Sequence, residues 1–240
     1  MSMKIRAMYF TGTGTTAKIT TSIAYSMWSE MKDAGFEKEA DINFAVKAAR
    51  DKGYFFDEND IVVFGVPVIA GRVPNVLLKF LDTLKGGGAI AIPVVLYGNR
   101  NFDDALIELR NILEDKDFRT VAAAAFIGEH SFSKTLAAGR PDAADMKIAD
   151  AFAKEAADKI LWIMRDSAAH EVEMSHTLDM MGPVEVEGCD PIRDYYKPRD
   201  RHGEHINILK VKPKLHEDKC IKCGMCAAVC PMGSISKEDP

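Results

Sequence analysis

No uninterrupted apolar run in this 240-residue sequence reaches the roughly 20 residues that a bilayer-spanning helix needs, so no membrane segment is expected. Positive charge is not in excess: 31 Lys and Arg stand against 36 Asp and Glu, a net charge of −5. With the basic residues scattered along the chain, that balance argues against a nucleic-acid surface. Met1-Ser2-Met3-Lys4 leads straight into an apolar strand, with no leader of secretory or transit type, and a cytoplasmic location follows by default. Tryptophan occurs twice, and before Cys220 the sequence holds a lone cysteine, Cys189. A disulfide framework is therefore not expected. No Ser/His/Asp or metal-hydrolase pattern is visible, so no catalytic acid, base or nucleophile is assigned.

What the sequence does have is a short polar loop, Thr11-Gly12-Thr13-Gly14-Thr15-Thr16, between the apolar run Ile5–Phe10 and a helical stripe at Ile19, Ile23, Met27 and Met31. A strand feeding a tight loop that opens a helix is a ready anion site, because the first helical amides lack backbone partners and the helix dipole is positive there. The loop has no Lys or Arg, so amides and hydroxyls must do the holding. It lacks the Gly-Lys-Ser/Thr ending of a nucleoside-triphosphate loop, which excludes that reading. Gly12-x-Gly14-x-x-Ala17 formally fits a dinucleotide fingerprint, but neither Asp33 nor Asp41 clearly supplies the acidic residue that should follow. A mononucleotide loop of the form Thr/Ser-x-Thr-Gly-x-Thr is matched in full by Thr11, Thr13, Gly14 and Thr16. The bland alternative is a Thr-rich turn with Thr15 as an N-cap.

The length suits one α/β domain plus a small appendage, and the 47% apolar content is ample for its core. Strands are expected at 5–10, 38–44, 61–67, 90–97 and 121–127. Helices are expected after the first loop and near 44–52, 74–84 and 103–113, with a long last helix over 142–164 capped at Pro141-Asp142. Continuous apolar runs such as Ile61–Pro67 are what strands covered on both faces require. Strands alternating with helices predict an α/β fold, a doubly wound five-stranded parallel sheet of order 2-1-3-4-5. Ligands in such sheets bind beyond the carboxyl ends of the strands. That places Pro67, Val68, Ile69, Ala70 and Gly71 at the site, with Tyr97, Gly98, Asn99, Arg100 and Phe102 from the next loop. A flat aromatic ligand would find aliphatic cover in the first loop and an aromatic in the second. His130, in the loop after the fifth strand, reads as a surface histidine with nothing to orient it.

Residues 1 to about 165 resemble a flavodoxin-type FMN domain, through the Thr11–Thr16 loop and the Tyr97-Gly98-Asn99-Arg100 loop. The resemblance is closest to flavodoxin domains fused to a ferredoxin, in which Gly-Val-Pro-Val and Gly-Arg-Pro-Asp recur, here Gly65–Val68 and Gly139–Asp142. It implies FMN, with the phosphate on Thr11–Thr16 and the ring between the loops at 66–72 and 97–102. One departure is plain: many flavodoxins carry a tryptophan after the third strand, where this chain has Val68 and Ile69.

Beyond Asp166 the periodicity disappears, and residues 166–215 read as an irregular linker, with one short strand expected at Ile206–Val211. The segment 216–240 then holds Cys220-x-x-Cys223-x-x-Cys226-x-x-x-Cys230-Pro231, the bacterial ferredoxin run. Zinc sites prefer two cysteine pairs far apart, which a gap of two does not supply. The fourth cysteine of this run normally ligates a second cluster. The sequence therefore reads as the first half of a two-cluster [4Fe–4S] domain, truncated, or as a one-cluster protein that recruits Cys230 or Cys189. The expected function is electron transfer between FMN and [4Fe–4S] clusters and a redox partner protein, a ferredoxin or an oxidoreductase. The alternatives are an NAD(P)H-dependent flavin reductase and a flavin-free docking module.

Overall fold

The computed structural model describes residues 2–206, 214–230 and 232–238. Its centre is a parallel sheet built on β1 (Lys4–Tyr9), β4 (Asp60–Pro67) and β5 (Ile90–Tyr97). The rims are short: β2 (Glu37–Lys38) and β3 (Ile42–Asn43) pair β1 on one side, and β6 (Arg119–Thr120) and β7 (Ala124–Ile127) pair β5 on the other. Counting each broken rim as one strand, the order is 2-1-3-4-5 as expected, the doubly wound flavodoxin-like arrangement. Helices α1 (Thr15–Met31) and α5 (Ala143–Ala169) cover one face, burying Ile19, Ile23, Met27, Ala149, Ala153 and Ile160. Helices α3 (Asn75–Leu81) and α4 (Ala105–Asp115) cover the other, burying Leu77, Leu81, Leu106 and Leu109. The two layers bury the central strands almost entirely, which is why β4 and β5 are apolar at nearly every position.

The sequence predicts unbroken second and fifth strands, and each is interrupted for a local reason. At 39–41 the carboxylate of Asp41 accepts the Ala7 amide at 2.9 Å, a bond that would otherwise go to a strand carbonyl. Asp41 also accepts from Lys38 at 2.5 Å. At 121–123 the break lies opposite Ile92 and Pro93, since Ala91 registers with Thr120 and Val94 with Ala124. Pro93 has no N–H to give a neighbouring strand.

Three helices differ from expectation. The second shrinks to α2 (Lys47–Arg50), and α3 ends at Leu81 with Asp82 as its cap, before the glycine run. The last helix continues five residues past the expected Met164 and is followed by α6 (Met174–Met181) inside the stretch read as linker. α6 was invisible to periodicity because it buries one residue, Leu178. Residues 182–198 have no regular structure and run from beside Thr120, whose carbonyl accepts the Val184 amide, past α4 to the loop at Ala70. The strand expected at Ile206–Val211 lies outside the described residues beyond Ile206.

The start of α5 is fixed as the sequence predicts. Asp142 accepts from the Ala144 and Asp145 amides while the Asp145 carboxylate takes the Asp142 amide, a capping box. Arg140 binds Asp145 and pulls its carboxyl pKa below the ordinary 3.8. A carboxylate depressed in this way stabilises the fold above its unfolded pKa, and the contribution is lost as pH falls through the folded value. The thermal midpoint is therefore expected to be flat from neutral pH to about 4 and to fall below that. In Asp145→Asn that acid-limb decline should be visibly shallower; an unchanged limb would remove Asp145 as its source.

Candidate functional site

The Thr11–Thr16 loop sits at the carboxyl end of β1. Thr11 Oγ1 accepts the Gly14 amide at 2.9 Å, closing the loop on itself. Gly14 takes φ 94°, a left-handed conformation that glycine adopts without steric cost, and is the N-cap of α1. It offers no side chain, and no side chain caps the helix from elsewhere. Thr15 is therefore the first residue of the helix, which overturns the reading of Thr15 as a cap. A 17-residue helix thus begins with its amides directed at a loop whose Gly12, Thr13 and Gly14 are exposed.

This loop forms one end of a cavity of about 420 Å³. Gly12, Thr13, Thr15 and Thr16 line that end, and the loop at Pro67–Gly71 supplies a wall, with Ile69 half exposed. Residues 69–72 form a tight hairpin: the Ile69 amide donates to the Arg72 carbonyl at 3.0 Å and the reverse bond is 3.2 Å. Ala70 and Gly71 both have positive φ, 52° and 77°, as a two-residue hairpin turn demands. Gly71 is required here, since a Cβ on it would lie 2.4 Å from an Asp103 carboxylate oxygen.

Tyr97, Gly98 and Arg100 also line the cavity, together with Asn101. Phe102 does not; it stands behind Tyr97, edge-on at 5.4 Å between ring centres. Asn99, at φ 57°, turns the loop without lining the cavity. The guanidinium of Arg100 is held by the Asp103 carboxylate and lies over the Tyr196 ring at 4.5 Å.

The loop after β7 contributes more than the sequence reading gave it. Gly128 to Phe132 line the cavity, and Phe132 is 94% exposed at its rim. His130 is firmly oriented: its Nδ1 accepts the amides of Phe132 at 3.1 Å and Ser133 at 3.2 Å. An Nδ1 that accepts two bonds leaves the ring proton on Nε2, so a neutral His130 is a hydrogen-bond donor. Gly98 makes room for this ring, because a Cβ there would sit 2.7 Å from His130 Cδ2. Only the position of this loop at the carboxyl end of a strand pointed to it in the sequence.

The lining suits a ligand with an anionic end and a flat ring. A hydroxyl-rich loop and the first amides of α1 stand at one end, and aliphatic and aromatic cover with polar backbone stands at the other.

In the C-terminal segment, α7 (Met225–Val229) separates Cys223 from Cys230. Cys223 and Cys226 are exposed, Cys220 and Cys230 partly buried. Among the described residues no three Cys, His, Asp or Glu side chains are grouped as metal ligands, so the structure does not bring the four thiols together. The donor set still fits an iron–sulfur cluster. Lys222 and Gly224 take φ 55° and 72° and curl the chain between the cysteines. The Ser234 amide points at the Cys230 sulfur at 3.4 Å, and it and the neighbouring amides push the thiol pKa down. Pro231 lies outside the described residues. The segment also touches the main domain: Met232 packs against the core on the α3 and α4 side, and its carbonyl accepts from Arg50 at 3.4 Å.

Residues 213–236 match the family described as a 4Fe-4S binding domain. No curated protein matches the chain. Among solved structures, a flavodoxin from the domain Archaea is similar at 16% identity over 66% of this chain and 99% of its own, with a TM-score of 0.45. An apo NADH:FMN oxidoreductase is similar at 16% identity over 65% of this chain and 89% of its own, with a TM-score of 0.46. A flavodoxin from Streptococcus pneumoniae TIGR4 shares 16% identity over 65% and 99%, with a TM-score of 0.40. Among the described residues, no helix is long and apolar enough to cross a membrane. With the sheet order and the 4Fe-4S match together, the chain is a flavodoxin-like α/β domain followed by a ferredoxin-type segment.

Proposed function

We propose that this protein is an electron-transfer flavoprotein, in which residues 1–165 hold FMN, residues 166–215 connect, and residues 216–240 ligate a [4Fe–4S] cluster through Cys220, Cys223, Cys226 and Cys230. The observation that carries the reading is the uncapped N-terminus of α1 beneath a hydroxyl-rich loop, opening into a cavity with apolar walls. Flavin, when bound, exchanges electrons singly or in pairs and a cluster passes them singly, so the pair connects two-electron and one-electron carriers. The residues of this chain bind and tune. Thr13, Thr15 and Thr16 with the α1 amides would hold the phosphate. The loops at 67–71 and 97–101 would exclude water from the ring, and His130 Nε2 would offer a proton donor at its edge. Electrons would pass to or from a redox partner protein, a ferredoxin or an oxidoreductase.

The test is the visible spectrum of anaerobically purified full chain, reconstituted with iron and sulfide, with FMN quantified after heat release. About one FMN per chain is expected, with an iron–sulfur absorbance that disappears in Cys223→Ala. Protein that neither carries nor takes up FMN would overturn the flavin reading. An iron–sulfur band that survives Cys223→Ala would overturn the ligand assignment. Rapid bleaching of bound flavin by NADH would instead make the protein a flavin reductase.

A further inference from the structure

Residues 188–196 form a strap over the loops that flank the cavity. Its anchor is Asp104, which is 1% exposed and stands at the N-cap position of α4 without capping that helix. Its carboxylate serves the strap instead. Its Oδ1 accepts the Cys189 amide at 3.0 Å and Arg193 Nη2 at 2.5 Å, and its Oδ2 accepts the Arg193 amide at 2.9 Å and Arg193 Nε at 2.8 Å. The strap lies so close that a Cβ on Gly188 would be 2.2 Å from the Ile107 side chain.

From this anchor the strap reaches both ring-facing loops. Arg72, which forms a buried pair with Glu108, donates to the Arg193 carbonyl and lies over the Tyr195 ring at 4.6 Å. The Tyr195 hydroxyl donates to the Val73 carbonyl at 2.7 Å. The Tyr196 amide donates to the Ala70 carbonyl at 2.8 Å, and the Tyr196 ring carries the Arg100 guanidinium. Ala70 and Arg100 line the cavity; neither Arg193 nor Tyr196 does.

We propose that Arg193 and Tyr196 are positioning residues for the flavin site: the strap they anchor holds the 69–72 hairpin and Arg100 in the arrangement that receives the ring. The inference rests on reading the cavity as a flavin site. Physically, loops ordered in advance spare the ligand the cost of ordering them, so releasing the strap lowers affinity. Freeing Arg100 shifts a positive charge relative to the cavity and so alters the potential of whatever redox group occupies it. Arg193 is the anchor because its planar fork pairs both Asp104 oxygens, and without it a buried carboxylate is left uncompensated.

The test uses the full chain with Arg193→Ala, Arg193→Lys and Tyr196→Ala. Three quantities are measured: amide exchange at 68–73 and 99–104 in flavin-free protein, FMN affinity by fluorescence quenching, and the flavin midpoint potential. In Arg193→Ala, exchange at both loops should accelerate and FMN affinity should fall about tenfold or more. Arg193→Lys should recover part of both, since it restores charge without the fork. Tyr196→Ala keeps the backbone bond to Ala70, so it should shift the potential while leaving the melting temperature nearly unchanged. Unchanged exchange in flavin-free Arg193→Ala overturns the proposal, as does wild-type affinity and potential in both alanine variants. If Arg193→Ala does not fold, an unaltered potential in Tyr196→Ala overturns it. A wild-type chain that takes up no FMN sinks the flavin reading, and the exchange data still decide whether the strap fixes the loops.

Discussion

Thr13→Asp is expected to lower FMN affinity by about 100-fold or more while leaving riboflavin affinity within about threefold. Thr13 is exposed on the loop and lines the end of the cavity where we propose that the phosphate sits, so the substitution disturbs no packing. It places a carboxylate where the phosphate dianion would lie. Two unit charges 4 Å apart near a protein surface repel by about 4 kcal/mol, enough for losses of this size. Riboflavin has the same ring and no phosphate, so it reports on the rest of the site. Parallel titrations with both ligands at low salt give the comparison. Equal losses for both would mean that the loop supports the ring rather than the phosphate. An unchanged FMN constant would mean that the phosphate binds elsewhere.

The second large effect concerns stability. Phe44→Ala is expected to cost about 3–5 kcal/mol, the usual range for removing a buried phenyl ring. Phe44 is fully buried and central to an aromatic group, 5.0 Å from Phe80, 5.4 Å from Phe64 and 6.1 Å from Phe10 between ring centres. It links β1, β4 and α3 to the turn leading into α2, whose Arg50 bonds the Phe44 carbonyl at 2.8 Å. Since a domain commonly has about 5–15 kcal/mol in hand, the variant should fold with little reserve. Urea unfolding measures the loss as a lowered midpoint at unchanged slope. A loss below about 1 kcal/mol would show that the neighbouring rings close the space.

The sheet was legible because β4 and β5 are apolar almost throughout, a pattern that few other structures produce. The strand–loop–helix geometry at Thr11–Thr16 was legible because its glycines and hydroxyls are consecutive in the chain. The broken rims were not, since each depends on a single partner across the sheet: Asp41 answering the Ala7 amide, and Pro93 denying one to its neighbour. The strap was hidden for a related reason. Several of its links run from backbone amides to the Asp104 carboxylate or a loop carbonyl, and such bonds impose no spacing on side chains. His130 looked unheld because the groups orienting it are the amides of Phe132 and Ser133, which every residue possesses.

The interrupted rims also limit the edge that the sheet offers to another chain. An unpaired strand edge is a template on which a second chain can continue the sheet, and long flat edges invite aggregation. Here one rim offers two pieces of two residues, and the other a two-residue and a four-residue piece. Neither gives an incoming strand a continuous row of donors and acceptors. Among the described residues, the two positions that shorten the outer strands, Asp41 and Pro93, also deny the sheet a long edge on which another chain could extend it.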